Sequence, residues 1–225
     1  MTQQARELLA ATAQALAPQQ GTNRLVAAIA AGTASRIVLG TLALEQRHIV
    51  AADRRSFQHL AVRATDRPEG AELFATMAEG EALALDRLGA TLRGCGLDEV
   101  TTEAYEPMPG CQAFPAYVSW LALNGDPADV AVALYANFSA WGTYCATIAA
   151  ALRARYGFAD EACGFFDFFA LPAPALKDQA VAAVQEGLDA GHVTMARALR
   201  YGRLLQAYEA MFWETLAAQD ASAPH

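Results

Sequence analysis

GDPADVAVALYANFSAWGTYCATIAAALRARYG, residues 125–157, contains 23 consecutive positions without a charged side chain, Val130 to Leu152. A run of that length meets the requirement for a membrane span. Asn137, Ser139, Thr143, Tyr144 and Thr147 interrupt it, and in hydrocarbon each would lack a polar partner. A helix enclosed by other helices supplies such partners or lines a cavity with them. The stretch is therefore expected to form the central helix of a soluble bundle. Its start is well marked: Asp126 can cap, Pro127 suits the first helical position, and Asp129 puts negative charge in the first turn.

Outward from this helix, apolar residues recur at helical spacing in every long segment and period-two alternation is not sustained. The chain is expected to be all-α, with seven or eight helices and no internal repeat. A first helix over Gln3–Leu16 stops near Pro18, within an N-terminal segment 1–20, and a second begins after Thr22 and weakens at Gly32. Ser35 caps a long helix that ends before Thr65-Asp66-Arg67-Pro68, with Gly40 able to bend it. Glu69–Arg93 follows, closed by Gly94 and Gly96, and Leu97–Pro115 reads as a structured loop. A short helix over 116–123 precedes the central one. Beyond Tyr156-Gly157 come the aromatic cluster GFFDFFALP, a helix over 175–189, a last helix over 192–218, and a flexible tail at 220–225.

Composition narrows the class. The 225 residues carry no linker-like or charge-block division, which favours one domain over 1–225. Hydrophobic residues make up 54% and charged residues 18%, too apolar for disorder and high for a soluble globule, so a sister subunit is expected to cover some apolar surface. A net charge of −8 without a basic run disfavours direct nucleic-acid binding. The N-terminal stretch lacks the basic and apolar regions of a signal peptide, so a cytoplasmic location with no membrane attachment is expected. Cys95, Cys111, Cys145 and Cys163 form no CxxC pair and read as reduced thiols.

The last helix ends in YEAMFWETL, Tyr208 to Leu216. Glu209, Phe212 and Trp213 stand at i, i+3 and i+4, placing a carboxylate and two rings on one face. This segment resembles the C-terminal signature of the thiaminase II (TenA) family. GDPADVAVALYANFSAW is similar to that family's Gly-acidic-Ala-Leu helix, and NRLVAAIAAGTASRIVLGTLALEQ to its opening helix pair. The resemblance spans roughly Asn23 to Gln219. It implies a haem-oxygenase-like, TenA-type helical bundle around a small-molecule pocket, assembled as a homodimer or homotetramer.

Residue by residue, the resemblance puts the family's nucleophilic cysteine at Asn137 and the tyrosine one turn later at Trp141. The pyrimidine-holding aspartate falls at Gln46, with Glu45 beside it, and two further tyrosines fall at Phe114 and Phe169. Glu209 alone keeps the acid, as the implied catalytic residue, with Trp213 beside it. A shift of one helical turn would bring in Tyr117 or Cys145 instead. Displacing the thiazolium of thiamine needs a thiolate, which an Asn amide cannot replace. The implied function is thus binding of a small heteroaromatic ligand, with hydrolysis of aminopyrimidine salvage compounds as the first enzyme reading, thiamine metabolism as the setting, and no cofactor. Cys145 reads as a small buried hydrophobe.

Two other classes stay open. Glu45 and His48 stand at i, i+3, a spacing used for di-iron sites on helical bundles, and Glu81 and His192 are the further donors for an oxidative metalloenzyme; the sequence offers no second Glu-x-x-His pair. A non-enzymatic ligand-binding or regulatory protein is the third class. Within GFFDFFALP at most one or two rings are expected to touch ligand. Asp53-Arg54-Arg55 and Arg197, Arg200 and Arg203 read as solvated helix faces.

Overall fold

The computed structural model describes residues 2–17 and 23–222. Pro18 and Thr22, where the first helix was expected to stop and the second to start, and residues 223–225 of the tail lie outside the described residues. Among those described, the chain forms ten helices and no strand: α1 (Gln3–Ala15), α2 (Arg24–Ala31), α3 (Arg36–Arg63), α4 (Pro68–Gly94), α5 (Glu99–Glu103), α6 (Pro109–Asn124), α7 (Pro127–Tyr156), α8 (Asp160–Ala170), α9 (Pro174–Asp189) and α10 (Met195–Ser222). The short α5, within the expected loop, and α8, within the aromatic cluster, add to the helices legible in the sequence.

Caps set most boundaries. The Ser35 side chain accepts from the Val38 N–H, and Asp126 accepts from the Ala128 N–H with Pro127 at the first helical position. α10 starts at Met195 rather than near His192, because 190–192 are used to close α9. Gly191, at φ 72°, lets its own N–H reach the Leu188 carbonyl and the His192 N–H reach the Gly187 carbonyl. That left-handed closure satisfies two carbonyls the helix end would otherwise leave free. α6 begins at Pro109, seven residues before the expected Ala116, with Pro115 inside it. The Met108 N–H just ahead of it is held by Glu45, which fixes the entry to the helix.

α7 packs against α1, α2, α8, α9 and α10 and is the central helix. α3 packs on α4, α4 on α8 and α9, α8 on α7, α7 on α10, α10 on α6, and α6 back on α3. These pairings close a ring of helices around an interior space. Two buried apolar clusters flank that space, one built around Ile29, Leu42, Ile148, Phe165 and Phe166, the other around Phe57, Phe74, Leu121, Leu134 and Val184. No helix among the described residues is long and apolar enough to cross a membrane. The buried Asp129 accepts from the Thr194 N–H at 2.7 Å and from Arg197, tying the start of α10 to α7; Arg197 is thus an ion-pair partner, not a solvated side chain.

Candidate functional site

Six helices of the ring face one interior cavity. α3 contributes Gln46, Ile49, Val50 and Asp53, α4 Glu81, α6 Phe114, α7 Asn137, Phe138 and Trp141, α8 Phe169, and α10 Glu209, Phe212 and Trp213. The space open to the centre of a water molecule is about 50 Å³, several times the ~10–15 Å³ that admits one water. Six rings contribute to the wall, and among them Trp141 lies edge-on to Phe169 with centroids 5.8 Å apart and is 6.1 Å from Trp213. Of the four phenylalanines of the aromatic cluster, Phe165 and Phe166 are core and Phe169 reaches the cavity.

Glu209 is the best-connected polar group. Its Oε2 accepts from the Asn137 amide at 2.7 Å and its Oε1 from the Trp213 indole N–H at 3.2 Å. Burial raises the carboxyl above its ordinary range, and these two donors partly oppose that rise. A carboxyl held above its ordinary range is better suited to act as an acid than an exposed glutamate is. Asn137, Glu209 and Trp213 also line an open groove of about 400 Å³ that reaches Ala17, Asn23, Arg24 and Tyr144. The Asn137–Glu209 hydrogen bond therefore stands in the partition between groove and cavity.

Gln46, Phe114, Asn137, Trp141, Phe169, Glu209 and Trp213, all named from the sequence, converge on the cavity. Glu45 does not line it. Glu45 is fully buried and accepts from the Tyr105 hydroxyl at 2.6 Å, the Met108 N–H at 2.6 Å and the Gln112 amide at 2.7 Å. Its carboxylate latches the α5–α6 connection to α3.

The alternative metal set is not assembled. Glu45 is committed to that latch, His48 lies by Tyr105 with ring centroids 6.2 Å apart, and His192 pairs with Asp126 at 2.9 Å outside the cavity. Among the described residues no three His, Cys, Asp or Glu side chains stand together as a metal site. Cys145 is fully buried, and burial holds its thiol well above the usual range.

Asp53 was read as part of a solvated face, yet it is only 6% exposed and points into the cavity. Glu81, also 6% exposed, faces the same space from α4. Burial pushes Asp53 up to about 8; it raises Glu81 well above its ordinary range, and the neighbouring Asp53 adds to that rise. The signal for Asp53 was its spacing, since Gln46, Ile49, Val50 and Asp53 follow i, i+3, i+4, i+7 and share one stripe of α3. Arg54 and Arg55, both exposed, masked that stripe.

With this geometry in hand, the chain can be compared with known proteins. The sequence model of the TENA/THI-4/PQQC family matches residues 22–217. A solved TenA homologue from P. horikoshii OT3 superposes with a TM-score of 0.65 at 15% identity, covering 95% of this chain and 96% of that one. A domain of unknown function with a heme oxygenase-like fold, from Shewanella denitrificans OS217, superposes with a TM-score of 0.60 at 14% identity over 98% and 96% of the two chains. The fold is accordingly the haem-oxygenase-like helical bundle. No curated protein matches the sequence.

Proposed function

Because this chain belongs to the TENA/THI-4/PQQC family, we propose that its interior cavity binds a compact heteroaromatic ligand of the aminopyrimidine class, with Glu209 as polar anchor and acid/base. The observation that carries this reading is the convergence of Gln46, Asn137, Glu209 and six aromatic side chains on one cavity. Flat rings stack in such a slot, while the two amides and the carboxylate match the donors and acceptors of ring nitrogens and an exocyclic amine.

The chemistry proposed is hydrolysis without a cysteine. Asn137 occupies the position nearest Glu209 and has no nucleophilic form at neutral pH, while none of the four cysteines borders the cavity. Glu209 takes a proton from an attacking water and passes it to the departing nitrogen, so a C–N bond breaks, a C–O bond forms and an amine leaves. A second reading, ligand binding without turnover, draws its support from the tight aromatic enclosure by Phe114, Trp141 and Phe169. Both readings place the ligand against Glu209.

The test is incubation with thiamine and with 5-substituted 4-amino-2-methylpyrimidines carrying an amine leaving group. Hydrolysis of the pyrimidines, reduced at least 100-fold in Glu209→Gln and unchanged in Cys145→Ala, with thiamine left intact, is the expected result. Saturable binding without products would select the second reading. Thiamine cleavage abolished by Cys145→Ala would refute both.

A further inference from the structure

The cavity holds two acids that the hydrolytic reading does not use. Asp53 and Glu81 line it from adjacent helices, α3 and α4, and Glu209 lines it from α10. The lining residues thus include three carboxylates and two amides, Gln46 and Asn137, but no Lys, Arg or His. Asp53 Oδ1 is buried without a hydrogen-bond partner among the described residues, and no nearby cation offsets the burial of either acid. Leaving a buried polar atom unpartnered costs about 1–3 kcal/mol. A core that had only to fill space would place apolar side chains there.

We propose that Asp53 and Glu81 form a cation subsite within the cavity, holding an ammonium or amidinium group carried by the ligand. This rests on the reading of the cavity as the ligand site. The Asp53 carboxyl lines the cavity with its Oδ1 buried and unpartnered, and the Glu81 carboxyl beside it supplies a second group of acceptors. Phe114, Phe138, Trp141 and Phe169 complete the surroundings with ring faces that attract an organic cation once water is excluded. A hard metal ion needs six or so oxygen ligands, which two carboxylates and a ring-lined wall do not provide.

The subsite has a proton-linked consequence. Without a cation the pair retains its protons, since Asp53 titrates only at about 8 and Glu81 is pushed up further by Asp53. A bound cation favours the ionised carboxylate, so binding near pH 7 releases a proton and tightens as pH rises toward 8. The groups facing Asp53 across the cavity are Glu81 and Glu209, neither of which supplies a positive charge.

Benzylamine and benzyl alcohol are suitable probes, because they differ only in a cationic or neutral arm on the same ring. Calorimetric titration of the whole chain at pH 7, in two buffers of different ionisation enthalpy, should show benzylamine binding at least tenfold more tightly with release of a proton. Asp53→Asn and Glu81→Gln, which keep shape, should each erase that preference while changing benzyl alcohol affinity less than twofold. Equal binding of the two probes, or a preference that survives both substitutions, would overturn the cation subsite and leave the cavity reading intact. Failure of both probes to bind wild-type protein would overturn the two together.

Discussion

At the scale of single residues, the buried acids divide into those that hold structure and those left open to a ligand. Glu45 is buried with three hydrogen-bond donors, and Asp129 with a guanidinium and a backbone N–H. Asp53 and Glu81 have no such partners, and Asp53 keeps its proton to about 8 in the folded chain. When unfolded, an aspartate loses its proton near 4. The unfolded state therefore ionises first, and Asp53 lowers stability progressively as pH rises from about 4 to about 8. Asp53→Asn should remove that penalty. We expect a gain of up to roughly 5 kcal/mol at pH 7.5, or about 10–20 °C in melting temperature, and no gain at pH 4. Calorimetric scans at the two pH values measure it, and a loss of stability at pH 7.5 would mean that Asp53 has a compensating partner. Sequence showed where Glu209 sits because a motif carried it. It hid Asp53 because the neighbouring Arg54 and Arg55 gave the segment the look of a charged face.

At the scale of elements, caps and periodicity located the long helices, while tertiary contacts set the rest. α7 and α3 begin where Asp126 and Ser35 predict, since an N-cap acts through its own backbone two or three residues on. The start of α6 depends on a carboxylate more than 60 residues earlier in the chain, a contact no local pattern encodes. Through Met108 and Gln112 that carboxylate fixes the helix that carries Phe114 into the cavity, so Glu45 positions the site without touching it. Glu45→Ala should leave three donors unpartnered and cost about 3 kcal/mol. Amide exchange across residues 105–112 should accelerate well beyond that of α7. Uniform acceleration over the whole chain would instead indicate a general loss of packing, and unchanged exchange would remove Glu45 from this role.

At the scale of the molecule, the ring of helices turns an unusually apolar sequence into a bundle whose mainly apolar cavity holds five polar side chains. Helical periodicity and the resemblance at YEAMFWETL made the ring legible. The contents of its centre were legible only where one helix brought several lining residues together, as at Glu209, Phe212 and Trp213. Pairings across helices, such as Asp53 with Glu81 and Asn137 with Glu209, need the closed ring before they exist. The central claim is that this interior, not the open groove beside it, is the ligand site. A crystal structure of the protein soaked with 4-amino-2-methylpyrimidine tests it most directly. The expected result is the ring bound inside the cavity, against the touching Trp141 and Phe169 side chains rather than between them, with a nitrogen in hydrogen-bond contact with Glu209; a ring found only in the outer groove, with the cavity unchanged, would contradict it.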